Sequence, residues 1–340
     1  MAERATAPRR HPPRRRQLLQ GAAACVAAAA GLARAASDDA LQLVVPFGAG
    51  GRTSFFAESL APALQQVLGR PVRVSHSEGV GPVQAIRRFA ASVPDGRTLL
   101  LAQVRLPRRG TLDVDDENRL LDSLVPVTLV AREPMVLLMS PRRADSLGIR
   151  TAQDLLRHLR AHPGRLSIAT GVDGTTTHLA SELFKVMTRT WLLRMPATGF
   201  TADAEAVAEG RIDMLFGSLH AARGSIRINE FRALGVTSDA AEARPGLERL
   251  APAPVPPLLQ QVDTALAGFA VYDYQSLLAP PGTPPAVVQA LHAASAEALA
   301  GPLRARLLAN NALPGGDSPA RYREVEDEEA ERWRRARGRW

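Results

Sequence analysis

The chain has 340 residues and a hydrophobic content of 46%, enough for two domains with sizeable cores. The formal net charge is +8, but seven arginines and one acid lie in residues 1–36. About +2 therefore remains for residues 37–340, and the charge does not argue for nucleic-acid binding. The single cysteine, Cys25, lies in the same first segment, so the rest of the chain has neither a disulfide nor a thiolate metal site.

Residues 1–36 have the order of a secretory signal peptide. A basic stretch, Arg9–Arg16, is followed by an alanine-rich apolar run, Leu18–Leu32, and then by a small-residue cleavage pattern. The apolar run is short and rich in alanine, which makes a poor membrane-spanning helix. Arg15–Leu19 partly matches a twin-arginine signal, and Cys25 offers a weak lipoprotein alternative. We therefore expect export to the periplasm, by the twin-arginine route.

Short apolar runs alternate with segments of helical periodicity along the remaining chain. The predicted strands are Leu41–Val45, Val72–Ser75, Thr98–Ala102, Val125–Val130, Met135–Met139, Leu166–Thr170, Ile212–Phe216 and Leu234–Thr237. The predicted helices are Thr53–Leu68, Val83–Ala91, Thr151–Leu159 with Thr151 as its cap, and one that ends near Met187. This alternation predicts an α/β architecture with largely parallel sheets. The proline-rich residues 252–257 predict a linker or surface loop, and the charged residues 324–339 predict a solvated terminal helix.

Two loops stand out because each follows a predicted strand and opens a predicted helix. The first, Pro46–Ser54, is rich in glycine, and the second, Thr170–His178, is rich in hydroxyl groups. At such a junction the first N–H groups of the helix lack helical partners, so an anion can be held there without a charged side chain. Either loop alone could be a plain connection. Facing each other across a cleft, the two would form a clamp for a carboxylate, which His178 could contact or merely pack beside.

Motifs of common enzymes are missing from the sequence. It contains no G-x-S-x-G elbow and no H-E-x-x-H helix, the dinucleotide fingerprint fails at Thr53, and the only lysine, Lys185, lacks the glycines of a Walker A loop. His158 and His162 have zinc-binding spacing but no evident third ligand, so an exposed helix face is favoured. We expect no catalytic residue, no metal and no cofactor.

The order of short motifs along the chain resembles the receptors of tripartite tricarboxylate transporters, also called Bug receptors. The motifs are Val44–Gly51, Gly79–Gly81, Pro94–Leu100, Val125–Ala131, Gly164–Ser167, Gly174–Phe184, Gly210–Met214, Arg232–Ser238 and Leu277–Pro284. They span essentially the whole chain after the signal segment. The resemblance implies a type II periplasmic-binding fold, in which two α/β lobes close on a ligand. Lobe 1 would comprise residues 37–140 and 262–340, and lobe 2 residues 141–261.

The resemblance also implies the ligand and the partners. Family ligands are mostly di- and tricarboxylates, and the loaded receptor docks on an integral-membrane permease, mostly as a monomer. The implied ligand-binding residues are Phe47, Gly48, Ala49, Gly50, Gly51, Thr53, Ser54, Thr170, Gly171, Gly174, Thr175, Thr176, Thr177, His178, Ala197, Thr198, Gly217 and Ser218.

Several positions depart from the family pattern. Gly48–Ala49 replaces a proline pair, Ser54 and Gly217 replace acids, and Ala197 replaces a tyrosine, while Arg52 adds a charge beside the first loop. Losing two acids removes partners for an ammonium group, and losing a tyrosine widens the cleft. The expected ligand is therefore a carboxylate without an amine, bulkier than the usual one.

Three alternatives remain open. A receptor could signal to a membrane sensor instead of delivering to a permease, because both roles need only ligand-driven closure. A decayed receptor that binds little is compatible with the lost site residues. An enzyme of the same fold would need Ser54, Ser218 or His178 as its reactive groups, and no sequence spacing joins them.

Overall fold

The computed structural model describes residues 39–77, 82–104, 116–170, 175–195, 200–238, 264–266 and 268–337. Its strands are β1 Leu41–Val45, β2 Val72–His76, β3 Thr98–Val104, β4 Val125–Met139, β5 Ser167–Ala169, β6 Leu193–Met195, β7 Met214–Ser218, β8 Arg232–Val236, β9 Tyr272–Ala279 and β10 Leu313–Pro314. Its helices are α1 Arg52–Leu68, α2 Pro82–Ala90, α3 Asp116–Ser123, α4 Pro141–Ser146, α5 Ala152–Ala161, α6 Thr176–Thr188, α7 Phe200–Ala208, α8 Leu219–Arg227, α9 Pro285–Ala300, α10 Pro302–Ala309 and α11 Pro319–Arg337.

Helix α5 shows why local signals predicted many of these elements well. Thr151 caps it as expected: its hydroxyl accepts the Asp154 N–H at 3.1 Å, and the Asp154 carboxylate accepts the Thr151 N–H at 3.0 Å. This reciprocal pair satisfies two N–H groups that the helix itself cannot bond.

The sheet is mixed, so the prediction of largely parallel sheets is wrong. Its strands follow the order β2-β1-β3-β9-β4-β7-β5-β6, and β8 and β10 also pair with β4. The flanks are parallel, with β1 between β2 and β3 and β5 between β6 and β7. The centre is antiparallel, because β9 runs against both β3 and β4, and β4 runs against β7.

The central strand β4 was predicted as two strands and is one. Residues 125–134 pair with β9, whereas residues 135–139 pair with β7 and β8. The polar residues Arg132 and Glu133, which interrupt the apolar pattern in the sequence, lie inside the strand. One continuous strand therefore belongs to both halves of the sheet.

The apolar cores follow this division. Side chains of β1, β3 and helices α1 and α9 build one core, and the second half of β4 packs with β5, β7, α5 and α6 in another. A third core lies on the other face of the sheet and draws side chains from β3, β4 and β9. Burial of these aliphatic side chains is the main favourable term in folding.

The last helix, α11, is not the solvated helix that its charges predict. Tyr322 and Trp333 are buried in two different cores. Glu329 is also buried, where it pairs with Arg332 and accepts a hydrogen bond from Tyr274. The apolar positions are widely spaced among charged residues, so they do not stand out in the sequence.

The described residues from Leu41 onward form one compact unit. The proposed lobe boundaries, 37–140 with 262–340 and 141–261, stay a prediction. The predicted signal segment 1–36 and the proline-rich residues 252–257 lie outside the described residues. Within the described ranges, no helix is both long and apolar enough to cross a membrane.

Candidate functional site

The first predicted loop joins β1 to α1. Gly51 is the N-cap of the helix, and its carbonyl accepts the first helical hydrogen bond from the Phe55 N–H at 3.0 Å. Gly50 has a φ of 82°, in the left-handed region that favours glycine. Residues 48–51 are exposed, Phe47 is half-buried, and Thr53 and Ser54 are buried. The backbone N–H groups that open α1 therefore lie next to a loop that a ligand can approach.

The second predicted loop joins β5 to α6. Thr175 caps the helix by accepting the His178 N–H at 3.3 Å, and Thr170 is buried and accepts a hydrogen bond from Arg194. Thr175, Thr176, Thr177 and His178 are half-buried. Gly171 and Gly174 lie outside the described residues, as do Ala197 and Thr198.

Both helix starts reach the two antiparallel strands that link the halves of the sheet. Arg52, the first residue of α1, donates from Nε to Glu133 of β4 at 2.6 Å. Thr176, the first residue of α6, makes a side-chain hydrogen bond to Asp273 of β9. Glu133 and Asp273 are partners in the register of β4 and β9. The structure thus brings the two predicted loops to one place, although a role in ligand binding stays a prediction for them.

A third segment adjoins this place at the end of β7. Ser218 is opposite Met135, two residues beyond Glu133 on β4, and Gly217 beside it is buried. His220 follows at the start of α8. Partial burial, together with the guanidinium groups of Arg52 and Arg223, lowers the pKa of His220 to about 4, so its ring is neutral at physiological pH.

The acid pair is the feature of this site that the sequence did not reveal. Glu133 is 3% exposed and Asp273 is 8% exposed. Burial raises the pKa of Glu133 to about 7; Arg52 opposes the rise and the charge of Asp273 adds to it. Burial also raises the pKa of Asp273, against hydrogen bonds from Thr176 and Gln103. The two acids lie far apart in the sequence, and only the pairing of β4 with β9 makes them neighbours.

Arg52 adds a charge beside the first loop, as the sequence suggested, but the structure shows that this charge is paired. Its Nη2 donates to the carbonyl oxygen of Asn310 at 2.9 Å, and its guanidinium lies 4.7 Å from the ring centre of Phe55 and 4.5 Å from that of Phe56. Together with the ion pair to Glu133, these contacts fix the side chain in place. A ligand would meet a guanidinium that is already oriented and partly neutralised.

His178 packs against protein groups. Its Nε2 lies 3.8 Å from Oε1 of Glu182, and its ring is 6.2 Å from that of Trp333 in an edge-on arrangement. Lys185 completes the ion pair, with Nζ 2.7 Å from Oε2 of Glu182. These contacts favour the packing role of the two roles considered for this residue.

Ser54 has a partner that no sequence spacing suggested. Its hydroxyl donates to Oε1 of Glu58 at 2.8 Å and lies 2.6 Å from Nε2 of His76, at the end of β2. Ser54 itself is 1% exposed. An acid therefore remains near the first loop even though Ser54 replaces one, and the serine oxygen is shielded from a substrate.

Metal binding has no support in the described part of the chain. No three His, Cys, Asp or Glu side chains there come together in a way that could hold a metal ion. The rings of His158 and His162 stack on each other with their centres 4.6 Å apart at the end of α5, where His158 is half-buried and His162 is exposed.

Comparison with known proteins agrees with this architecture. Residues 56–336 match the family described as tripartite tricarboxylate transporter family receptor. The protein BugT of Bordetella pertussis is 30% identical over 312 residues, 89% of this chain and 91% of BugT.

Solved structures give the same picture. The Rhodopseudomonas palustris protein Rpa4515, solved with adipate, is 28% identical with a TM-score of 0.64, covering 87% of this chain and 95% of its own. The periplasmic binding protein BugD is 23% identical with a TM-score of 0.63, covering 86% and 95%. The two-lobed α/β periplasmic-binding fold predicted from the sequence is confirmed. The chain belongs to the receptor family of tripartite tricarboxylate transporters.

Proposed function

We propose that this receptor captures a small dicarboxylate between its two lobes, in the periplasm, and delivers it to an integral-membrane permease. The observation that carries the proposal is the convergence of two helix starts, at Arg52 and Thr176, on one pair of strands. At each helix start the first N–H groups have no partner within the helix itself, and the helix dipole places partial positive charge there. Two such ends match a ligand with a carboxylate at each end.

The likeness to Rpa4515 supports the same class of ligand, because that protein was solved with adipate, a straight-chain dicarboxylate. Closure of the lobes would bring the two loops onto the two carboxylates, and the signal segment 1–36 would direct the chain to the periplasm. The burial of Ser54 and the hydrogen bond that its hydroxyl donates to Glu58 favour binding over nucleophilic catalysis.

A thermal-shift screen of the full chain, recovered from the periplasmic fraction of cells that express it, tests the ligand class. Adipate and malate are compared with hexanoate, which has one carboxylate, with hexane-1,6-diamine and with amino acids. A ligand at a hundred times its Kd stabilises the folded protein by about 2.7 kcal/mol, a shift of several degrees. A shift with dicarboxylates alone supports the proposal. A shift with amino acids alone, or none with any dicarboxylate, contradicts it.

Uptake of the radiolabelled ligand by cells with and without the receptor tests delivery. Loss of uptake without the receptor supports transport through a permease. Unchanged uptake combined with an altered transcriptional response to the ligand supports the sensor alternative instead.

A further inference from the structure

The two acids where the predicted loops meet carry more negative charge than the one neighbouring cation can neutralise. Glu133 and Asp273 are opposite each other on β4 and β9, and both are buried. Among the described residues, Arg52 is the cation that the structure places in contact with the pair, and it binds Glu133. The partners of Asp273, Thr176 and Gln103, are neutral. Two neighbouring buried carboxylates, of which Glu133 alone is paired with a guanidinium, cannot both stay ionised without a large desolvation penalty.

Within the ranges that the structure describes, the neighbouring elements supply no second cation in contact with the pair. From α8, His220 is neutral near pH 7, and Arg223 acts on His220. From β4, Arg132 lies over the ring of Tyr272, with its guanidinium carbon 5.7 Å from the ring centre. Arg132 directly precedes Glu133, and Tyr272 directly precedes Asp273. Because neighbouring side chains of a strand alternate between its faces, Arg132 and Tyr272 point to the opposite face of the sheet from the acids.

The helices that approach the pair also keep their charges paired elsewhere. In α6, Glu182 is occupied by Lys185 and approached by His178. In α1, Glu58 and His76 of the adjacent β2 are gathered around Ser54. From the end of α10, the Asn310 carbonyl accepts from Arg52 and adds no formal charge.

The ligand adds negative charge beside this cluster. Arg52 is the first residue of α1, so a carboxylate held at that helix start lies next to the guanidinium that is paired with Glu133. One cation then faces three carboxylates, of which two belong to the protein. The lowest-energy way to relieve this excess is to take a proton from solvent onto the acid pair, so that the charge of Arg52, no longer neutralised by Glu133, acts on the ligand.

We propose that the receptor binds its carboxylate together with a proton, which is taken up by the Glu133–Asp273 pair. This inference rests on the proposed function, because it needs a carboxylate at the first loop. The pKa of Glu133, raised to about 7, places the uptake in the neutral range. Because protonation favours the bound state, binding also favours protonation, and affinity falls as the pH rises.

Isothermal titration calorimetry of the full chain with adipate, or with whichever dicarboxylate gives the largest thermal shift, tests the coupling. At pH 7.0 the titration is run in phosphate and in Tris, whose ionisation enthalpies differ. We expect the measured enthalpy to differ between buffers by an amount that corresponds to roughly half a proton taken up per ligand. Between pH 7.0 and 8.5 the Kd should rise about three- to tenfold, in a range where both adipate carboxylates are ionised.

Glu133→Gln tests the assignment of the proton. The variant should bind with equal enthalpies in both buffers and with a Kd that changes less than twofold over the same pH range. Glu209→Gln is the matched control, since Glu209 is an exposed acid paired with an arginine, Arg211, and it should behave like the parent. If Glu133→Gln fails to fold, Asp273→Asn and the two-buffer measurement on the parent chain serve the same purpose.

The outcomes separate this inference from the proposed function. Dicarboxylate binding with equal enthalpies in both buffers overturns the proton coupling but leaves the proposed receptor function standing. Proton uptake that persists in both Glu133→Gln and Asp273→Asn overturns the assignment to this pair. Absence of binding by every dicarboxylate overturns the function, and the coupling with it.

Discussion

The phenol of Tyr274 donates a hydrogen bond to Oε1 of Glu329 at 2.6 Å and so joins β9 to α11. Both side chains are buried, and Arg332 pairs with the same carboxylate. Burial and the nearby carboxylate of Glu329 raise the pKa of Tyr274 well above its usual value, which keeps the phenol a hydrogen-bond donor.

Removing this hydroxyl should destabilise the protein more than removing a similar one nearby. Tyr274→Phe leaves a buried carboxylate one donor short, which costs about 1–3 kcal/mol. The matched control is Tyr322→Phe, because the Tyr322 hydroxyl is also buried but shares its hydrogen bond with the neutral hydroxyl of Ser276 at 2.9 Å. Chemical denaturation measures both losses. A loss for Tyr274→Phe no larger than that for Tyr322→Phe would contradict the ranking.

Glu133 should make the stability of the folded state depend on pH. Its pKa is raised from 4.5 to about 7 on folding, so the folded state binds this proton more tightly. The corresponding stability is present below pH 4.5 and is lost as the pH rises through 7, by about 3 kcal/mol at most. Denaturation of the parent and of Glu133→Gln at pH 5, 6, 7 and 8 should show a smaller decline in the variant. Parallel declines would mean that Glu133 does not titrate in this window.

Substitution by alanine should have different effects at two glycines of the first loop. Gly50 has a φ of 82°, where a Cβ is strained, and Gly50→Ala should lower the free energy of unfolding by about 1–2 kcal/mol. Gly48 lies outside that region, and a Cβ there meets no atom within 4 Å. Gly48→Ala should therefore be as stable as the parent but should bind the dicarboxylate more weakly, because the methyl group lies where a ligand would approach the backbone. Unchanged Kd in Gly48→Ala would argue against ligand contact at this loop.

A second pair of glycines separates helix propensity from steric overlap. Gly224 lies within α8 with open space around it, so Gly224→Ala should stabilise the protein by about 0.5–1 kcal/mol. In Gly315→Ala the new Cβ would overlap the carbonyl oxygen of Leu129 in β4 and should destabilise the protein by about 2 kcal/mol or more. Thermal denaturation should move the two variants in opposite directions. Similar midpoints would show that the backbone at residue 315 adjusts freely.

Local signals predicted much of this fold because they need only neighbouring residues. The cap at Thr151 and the glycine turn before α1 are set within a few positions of the chain. The antiparallel centre was missed because β9 carries Asp273, Gln275 and Ser276, which break the pattern of a buried strand. The burial of Glu329 was missed because the sequence of a highly charged helix does not reveal that Tyr274 of β9 will donate a hydrogen bond to it.

In the candidate site, too, local features could be predicted from the sequence and long-range contacts could not. The two loops could be located because a helix start after a strand is a local arrangement. Arg52 was noticed as an added charge, but its partner Glu133 lies 81 positions away, and only the folded chain brings them together. The contact of Ser54 with His76 likewise depends on β1 pairing with β2.

The place of β9 in the sheet affects how the protein is made. Strand β3 ends at Val104, yet its inner neighbour begins only at Tyr272, and the same late strand completes β4. Synthesis therefore delivers most of the chain before the middle of the sheet can close, and contacts of such wide sequence separation form slowly. Until then β3 and β4 expose bare edges that can pair with other chains. We expect the nascent protein to depend on chaperones until Tyr272–Ala279 emerges, and a product truncated before Tyr272 to aggregate instead of folding.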